Sequence, residues 1–485
     1  MDANPEQQDQ CRAGISDRQG DEGGEGRTDH QGGANTVEWP EHGSEITPHC
    51  EQPLPELRSV RRLVLGSVLV LATAACATAA GDGAGTPTVT SPAATTSSPA
   101  PTTTLSQPTS TTVPSGPPVG WLAPNGVPLA VVSTQGAQVE ALGSCGEPVT
   151  LGAGTPIYEV DVLLDPGHGG PVDTGAMGFN GLAEKEINLR VGLATAELLA
   201  ARGVAVMLTR VGDYPMPIPV RTEYAELAVA EVVVSIHHNA PEAPASEIPG
   251  VEIFVQQVSA ESQRLGGLIY DETMVALADF DIDWDRAPDA GVMTVINSDG
   301  EDAYGMVRRP SMPSALVELG YIANDAEAHL YRRPEYVPTA ALALANAIDT
   351  FLTGDDTGAG LVQGRDFDPN PGVGADRCVD VDLEQPLYPD VTAATLRDTE
   401  GLYEFIVTVS SAYDTEERHA DAFRVIGDDG IVYAVEELEW TGAMPQPFTA
   451  SVAGVAIPYT VDGVTIEGRD LVYGWGGGTV EVPLP

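Results

Sequence analysis

Apolar and polar positions along the middle of the chain follow two different periods, which predicts strands and helices in turn. Residues 158–164 and 231–236 form Val- and Leu-rich runs of the kind that buried strands require. Between them, apolar residues recur at helical spacing over residues 187–201. Further strands are expected at 204–208, 250–255 and 315–319, and further helices at 221–228, 261–277 and 339–352. The alternation predicts an α/β fold for residues 158–354, with a mixed, mostly parallel sheet flanked by helices.

Shorter apolar runs, punctuated by glycine and proline, lie on both sides of this region. Residues 119–157 predict a small β-rich lead-in, and residues 377–485 predict a separate all-β, sandwich-like domain. An Asp-, Pro- and Gly-rich segment at 355–376 is interpreted as the linker between the α/β region and the all-β domain.

The pattern of residues 1–76 predicts a segment that directs export. Residues 1–57 are polar and Gly-rich, which predicts a disordered leader, and a start assigned upstream of the natural one would explain its position. Residues 58–76 combine arginines, a short apolar stretch and small residues, which indicates a signal peptide. The segment Thr73-Ala-Ala-Cys76 resembles a bacterial lipoprotein signal and implies lipidation of Cys76. The alternative is an ordinary secretory signal that is cut nearby.

Composition and charge limit where the protein acts and what it binds. Residues 77–118 are mostly Ala, Thr, Ser, Pro and Gly, as in an extended tether, so the folded parts are expected outside the cytoplasm. We expect an exported protein of the cell envelope, lipid-anchored or secreted, whose only membrane contact is a lipid at Cys76. The 23 basic and 71 acidic residues give a net charge of −48, which argues against nucleic acid as a partner.

Two of the five cysteines, Cys145 and Cys378, fall in the parts expected to fold. An even pair in an exported chain predicts a possible disulfide, which would staple the two ends of the central domain together. Two separate buried thiols are the alternative, because spacing along the chain does not determine pairing.

Four polar residues stand at the boundaries of apolar runs: His168, Glu184, His237 and Glu318. Two imidazoles and a carboxylate form a zinc donor set with one open position, and a further carboxylate is the base that such a site uses. The pattern therefore indicates a hydrolase with Zn²⁺ as its cofactor.

Each of these residues has a distinct setting. His168 lies in the glycine turn 165–170, where a hydrogen-bonded loop histidine is the alternative. Glu184 stands at a helix start, where a carboxylate also favours the helix dipole. His237 and His238 end a strand, so only one of them should face a cleft. Glu318 is flanked by apolar residues, and its charge would need a partner if buried.

Five segments in order carry a resemblance to a known family. They are 165–170, 181–189, 208–210, 235–239 and 315–324. Together they resemble the motifs of the zinc-dependent N-acetylmuramoyl-L-alanine amidases, which cut peptidoglycan, over about residues 158–354. Several motifs in one order are far more specific than any single motif.

The resemblance implies a role for each residue. His168, Glu184 and His237 would be the zinc ligands. The family often has a small residue at the position of His238, so this chain departs from the pattern there, and His237 is favoured over His238 as the ligand. Glu318 would be the catalytic carboxylate. Asn239 and Arg210 are candidate substrate contacts. For Arg210, and likewise for Arg221, a structural ion pair is the preferred interpretation and orientation of the substrate is the other.

The implied reaction is hydrolysis of the amide bond between the lactyl group of N-acetylmuramic acid and L-alanine, with peptidoglycan as the partner. We expect the enzyme to be a monomer. Two alternatives remain open at this point: a non-catalytic protein that binds the cell wall, and another exported zinc amidohydrolase. The all-β domain would either bind the wall or merely pack against the catalytic domain.

Overall fold

The computed structural model describes residues 116–136, 138–240, 250–282, 291–362, 364–366, 377–399 and 401–485. The expected leader, signal peptide and Cys76, and most of the tether, lie outside these residues, as does much of the segment interpreted as a linker. Within the described ranges, no helix has the length and apolar character needed to cross a membrane.

A six-stranded mixed sheet forms the centre of the α/β region. Its strands are β6 (Val162–Pro166), β7 (Val206–Leu208), β8 (Val232–Asn239), β9 (Glu252–Val255), β10 (Gly291–Met293) and β12 (Ser314–Tyr321), in the order β10-β9-β12-β8-β6-β7. The pairing of β9 with β12 is antiparallel, and the other neighbours run parallel. The prediction of a mixed sheet is therefore confirmed.

Helices cover both faces of this sheet, as predicted. The helices are α1 (Glu184–Ala201), α2 (Ile218–Ala228), α3 (Ala260–Leu277), α4 (Gly305–Arg308), α5 (Asp325–Leu330) and α6 (Tyr336–Thr353). Side chains alternate along a strand, so Val162 and Leu164 of β6 join the core shared with α1, α3 and α6, whereas Leu163 joins the core shared with α2 and α4. This arrangement buries the sheet on both sides and leaves the ends of its strands for a site.

The C-terminal region contains two antiparallel sheets that share one core. The strands are β14 (Asp390–Thr399), β15 (Leu402–Ser410), β16 (Ala420–Gly427), β17 (Val432–Glu437), β18 (Phe448–Val455), β19 (Gly463–Asp470) and β20 (Gly474–Pro483). They form sheets of order β14-β15-β18 and β17-β16-β19-β20. Phe405 of the first sheet and Phe423 and Ile466 of the second lie in the same buried cluster. The all-β character expected from the sequence is confirmed.

The lead-in is a five-stranded antiparallel sheet in the order β4-β3-β2-β1-β5. Its strands are β1 (Gly120–Leu122), β2 (Pro128–Gln135), β3 (Gln138–Leu142), β4 (Pro148–Leu151) and β5 (Thr155–Ile157). A small parallel pair, β11 (Val295–Ile296) with β13 (Arg365–Asp366), completes the described strands. Leu129 of the lead-in, Tyr214 of the α/β region, and Leu387 and Tyr473 of the C-terminal region share one buried cluster, so the three parts of the described chain pack together.

Cys145, in the turn between β3 and β4, and Cys378, ahead of β14, are joined as a disulfide with their Cα atoms 5.2 Å apart. Ser144 Oγ donates a hydrogen bond to the carbonyl oxygen of Val379 at 2.7 Å, beside the bond. The covalent link and this hydrogen bond hold the start of the C-terminal region against the lead-in sheet.

Replacing both cysteines with serine is expected to lower the free energy of unfolding by about 2–5 kcal/mol, because the bond closes a long loop in the unfolded chain. Urea titration of the wild type, with and without reductant, measures this difference. The reduced wild type should match the double variant, and the double variant should not respond to reductant. Peptide mapping that finds both thiols free in the oxidised protein would contradict the pairing.

Candidate metal centre

The glycine turn after β6 brings its backbone unusually close to the site. A Cβ atom on Gly167 would lie 2.1 Å from the ring of His237, so only glycine allows this approach. The next residue, His168, has a φ of 61°, in the left-handed region that side chains other than glycine rarely adopt. The turn therefore directs the His168 ring toward His237, and the two ring centroids lie 5.0 Å apart.

Three of the predicted site residues meet at the ends of β6 and β8 and at the start of α1. Glu184 Oε1 lies 3.2 Å from His168 Nε2 and 3.0 Å from His237 Nδ1. All three candidate donor atoms lie within 4.8 Å of one another. Ligands bound tetrahedrally to one Zn²⁺ are about 3.3 Å apart, since each stands about 2.0–2.2 Å from the metal. The donor set and its spacing fit a zinc ion.

Glu184 is the central member of this group. Its side chain is buried, and its second oxygen accepts a hydrogen bond from Ala176 N–H at 2.8 Å, while Asn188 Nδ2 donates to Oε1 at 3.2 Å. Burial acts to raise the pKa of Glu184, but His168 and His237 outweigh it and hold that pKa well below its usual value. The carboxylate is thus directed at the imidazoles, whatever it also contributes to the helix dipole.

Asp173 is a site residue that the sequence reasoning missed. Its Oδ1 lies 2.7 Å from His168 Nδ1, on the side of the ring that faces away from Glu184. Burial would lower the pKa of His168, but Glu184 and Asp173 outweigh this and raise it to about 10. Carboxylates commonly orient metal-binding histidines in this way. An acid five residues after His168 was the available signal, although spacing alone could not place it.

The structure separates the roles of the two adjacent histidines. His238 is fully buried, with Nδ1 2.7 Å from Asn188 Oδ1 and Nε2 2.8 Å from the Tyr336 hydroxyl. Burial lowers its pKa to about 3, so the ring is neutral. Because the side chains of neighbours on a strand face opposite sides, the ring of His237 reaches Glu184, whereas His238 contacts Glu184 Oε1 only through its backbone N–H, at 3.3 Å. Asn188, four residues after Glu184 on α1, is a second supporting residue that was missed.

Two buried arginines hold the loops that carry the site. Arg210 donates to the carbonyl oxygens of Pro166, Gly167, Lys185 and Gly212, and its side chain is fully buried. All of its hydrogen bonds among the described residues go to the backbone. The expectation of a substrate contact at Arg210 is therefore corrected to a structural role, because its guanidinium is enclosed and occupied by the loops.

Arg221 has the structural ion pair that was the preferred interpretation. Its Nη1 lies 2.8 Å from Asp165 Oδ1, and its Nη2 donates to the His168 carbonyl oxygen at 2.8 Å. Burial acts to raise the pKa of Asp165, but Arg221 and the hydroxyls of Ser235 and Thr209 lower it to about 2. The charge pair fixes the backbone on both sides of the glycine turn.

Glu318 lies beside His237, one of the three candidate metal ligands, on the neighbouring strand. On β12 it is directly opposite His237 of β8 and Glu252 of β9, and directly paired residues point to the same face of a sheet. Only 7% of Glu318 is exposed. Asn239, the predicted substrate contact, donates to Glu252 Oε2 at 2.8 Å and remains half-buried, so its contact with substrate stays a prediction.

Comparison with known proteins places the α/β region in a family. The sequence profile described as N-acetylmuramoyl-L-alanine amidase matches residues 162–350. The uncharacterized protein YqiI of Bacillus subtilis is 33% identical over 217 residues, which are 44% of this chain and 96% of that protein. The amidase AmiC of Neisseria meningitidis is 27% identical over 218 residues, or 39% of this chain and 52% of that protein.

Among solved structures, the amidase AmiC2 of Nostoc punctiforme is 30% identical, with a TM-score of 0.34, over 40% of this chain and 97% of that one. The profile match and the length of YqiI that is covered show the family. The chain belongs to the N-acetylmuramoyl-L-alanine amidase family through residues 162–350.

Replacing His237 with glutamine is expected to abolish binding of stoichiometric zinc, because it removes one of three donors. Replacing His238 with glutamine should retain the metal and lower the melting temperature, because that ring only makes buried hydrogen bonds to Asn188 and Tyr336. Metal content after dialysis and thermal unfolding measure the two effects. Retention of zinc by the His237 variant together with its loss from the His238 variant would reverse the assignment.

Proposed function

We propose that this protein is a zinc-dependent N-acetylmuramoyl-L-alanine amidase that releases stem peptides from peptidoglycan. The bond cleaved is the amide between the lactyl group of N-acetylmuramic acid and L-alanine. The observation that carries the proposal is the convergence of His168, Glu184 and His237 beside a carboxylate, Glu318, on the next strand. Membership of the amidase family supplies the substrate class.

The residues divide the chemistry among them. His168, Glu184 and His237 would hold the zinc ion, which would supply the Lewis acidity that makes water a usable nucleophile near neutral pH. Asp173 holds the His168 ring in orientation through Nδ1. Glu318 accepts the proton of the attacking water and delivers it to the departing amine of L-alanine.

The location of the substrate supports export. Peptidoglycan lies outside the cytoplasmic membrane, and the expected signal at 58–76 and tether at 77–118 would carry the enzyme there. We propose a monomer in the cell envelope, lipid-anchored at Cys76 or secreted.

Replacing Glu318 with glutamine is expected to lower kcat by about 10²–10⁴-fold, the usual contribution of a general acid–base group. Zinc content should remain that of the wild type, because Glu318 is outside the donor set. The assay follows the release of peptides with free N-terminal L-alanine from purified cell wall.

Glu223, an exposed residue of α2, provides the matched control, since Glu223→Gln makes the same chemical change away from the site. Wild-type turnover by the Glu318 variant would exclude it as the proton carrier. Cosedimentation of wild-type protein with wall and no peptide release would favour the non-catalytic wall binder. New chain ends elsewhere would favour a different amidohydrolase.

The hairpin between His168 and Glu184 offers a surface for the substrate. Met177 forms a bridge with Ala183, and Gly178 N–H donates to the carbonyl oxygen of Leu182. At the tip of this hairpin, Met177 is 54% exposed and Phe179 is 69% exposed. The two side chains provide apolar area without charge beside the metal group, which suits the C–H face of a sugar ring better than a charged peptide.

Replacing Phe179 with alanine is expected to raise KM for cell-wall substrate by about 3–10-fold with kcat nearly unchanged, the size of one aromatic contact. Phe179→Tyr should restore the wild-type KM because it keeps the ring. Tyr459 is 97% exposed in the C-terminal region, so Tyr459→Ala controls for the loss of an exposed aromatic residue. Equal KM values for the Phe179→Ala and Tyr459→Ala variants would remove the hairpin from the substrate surface.

A further inference from the structure

One aspartate links the two segments that carry the first two metal-binding residues. Asp213 Oδ1 accepts a hydrogen bond from Gly170 N–H at 2.7 Å, and Oδ2 lies 2.6 Å from Lys185 Nζ. Lys185 Nζ also donates to the Gly170 carbonyl oxygen at 2.9 Å. Gly170 follows His168 by two residues and Lys185 follows Glu184 directly. We call Asp213, Gly170 and Lys185 the Asp213 clamp.

The Asp213 clamp is held in turn by the C-terminal region. Asp213 N–H donates to the Tyr388 hydroxyl at 2.8 Å. A Cβ atom on Gly212 would lie 2.8 Å from the Tyr388 hydroxyl and from Leu387, so the loop and the C-terminal segment pack without room for a side chain. A Cβ atom on Gly474 would lie 2.4 Å from Asp213 Oδ2, so the backbone at the start of β20 packs closely against the same carboxylate.

Two further contacts join the C-terminal region to segments that carry the site. Arg424 of β16 lies 3.4 Å from Glu186, in the first turn of α1. Arg332 donates to the Gly430 carbonyl oxygen at 3.0 Å and to the Asn180 carbonyl oxygen at 2.7 Å. The C-terminal region thus contacts the start of α1 directly, and through Arg332 it contacts the hairpin between His168 and Glu184.

We propose that Tyr388 is a positioning residue through which the C-terminal domain holds the Asp213 clamp and so sets the spacing of His168 and Glu184. The domain is then a structural part of the metal centre rather than an independent wall-binding module. The inference rests on the proposed metal centre, and it extends that centre beyond residues 162–350, the range of the amidase family.

Tyr388 would affect zinc binding through one hydrogen bond, in which its hydroxyl accepts from Asp213 N–H. Without the Tyr388 hydroxyl, Asp213 N–H has lost its partner at a partly buried position, and the loop that presents the carboxylate can shift. Residues that support metal ligands affect metal affinity by about 10–100-fold when they contact the ligand directly. Tyr388 acts one step further away, so a smaller effect is expected.

The test uses the full chain with Tyr388→Phe, Asp213→Ala, and both together. Zinc affinity is measured by competition with a chromophoric chelator, without substrate. Tyr388→Phe is expected to weaken zinc binding about fivefold, roughly the worth of one hydrogen bond. Asp213→Ala should weaken it more, and the double variant should match Asp213→Ala, because Tyr388 acts by holding the Asp213 side chain in place. Tyr459→Phe, which removes an exposed hydroxyl, should bind zinc as the wild type does.

Two results would overturn the inference: wild-type zinc affinity in Tyr388→Phe, whether or not its melting temperature falls, or additive losses in the double variant. The results also distinguish a failure of this inference from a failure of the proposed amidase function. If the wild type binds zinc and Tyr388→Phe weakens that binding, but purified wall yields no peptide, the positioning role stands and the amidase proposal fails. If wall is cleaved and Tyr388→Phe binds zinc normally, only the positioning role fails.

Discussion

The buried carboxylate of Glu184 between two imidazoles is the interaction on which the site depends. A carboxylate that is only 4% exposed is costly unless charged or polar partners surround it. His168 and His237 supply those partners, and Ala176 N–H satisfies the second oxygen. The same crowding of donors around one carboxylate is what a divalent cation requires, so the electrostatic demand of the fold and the chemistry of the site coincide.

Two buried arginines hold the glycine-containing loops after β6 and β7 against the sheet. Arg210 satisfies four backbone carbonyl oxygens, and Arg221 joins Asp165 to the turn after β6. These buried cations are stable because their donors are occupied. The arginines therefore satisfy the loop carbonyl oxygens that lack partners in a helix or a strand. This holds the glycine turn in place, including His168 with its positive φ.

The described parts of the chain depend on one another. The lead-in sheet, the α/β region and the C-terminal region share the cluster around Tyr214, and Cys145 and Cys378 join the lead-in to the C-terminal region. The C-terminal region also approaches Asp213, next to the metal group. A catalytic site in one region can thus take part of its support from another, even though the amidase family covers only residues 162–350.

The sequence by itself determined the alternation of strands and helices and the types of the four central site residues, because hydrophobic period and residue chemistry are local properties. It placed the start of α2 three residues late, since Pro219 is tolerated in a first helical turn, and it did not predict the short helices α4 and α5. Only the tertiary structure decided between His237 and His238, brought Asp173 to His168, enclosed Arg210 and set Tyr388 against Asp213. Those outcomes depend on side chains far apart in sequence or on which face of a strand is buried, and the packing of the whole domain determines both.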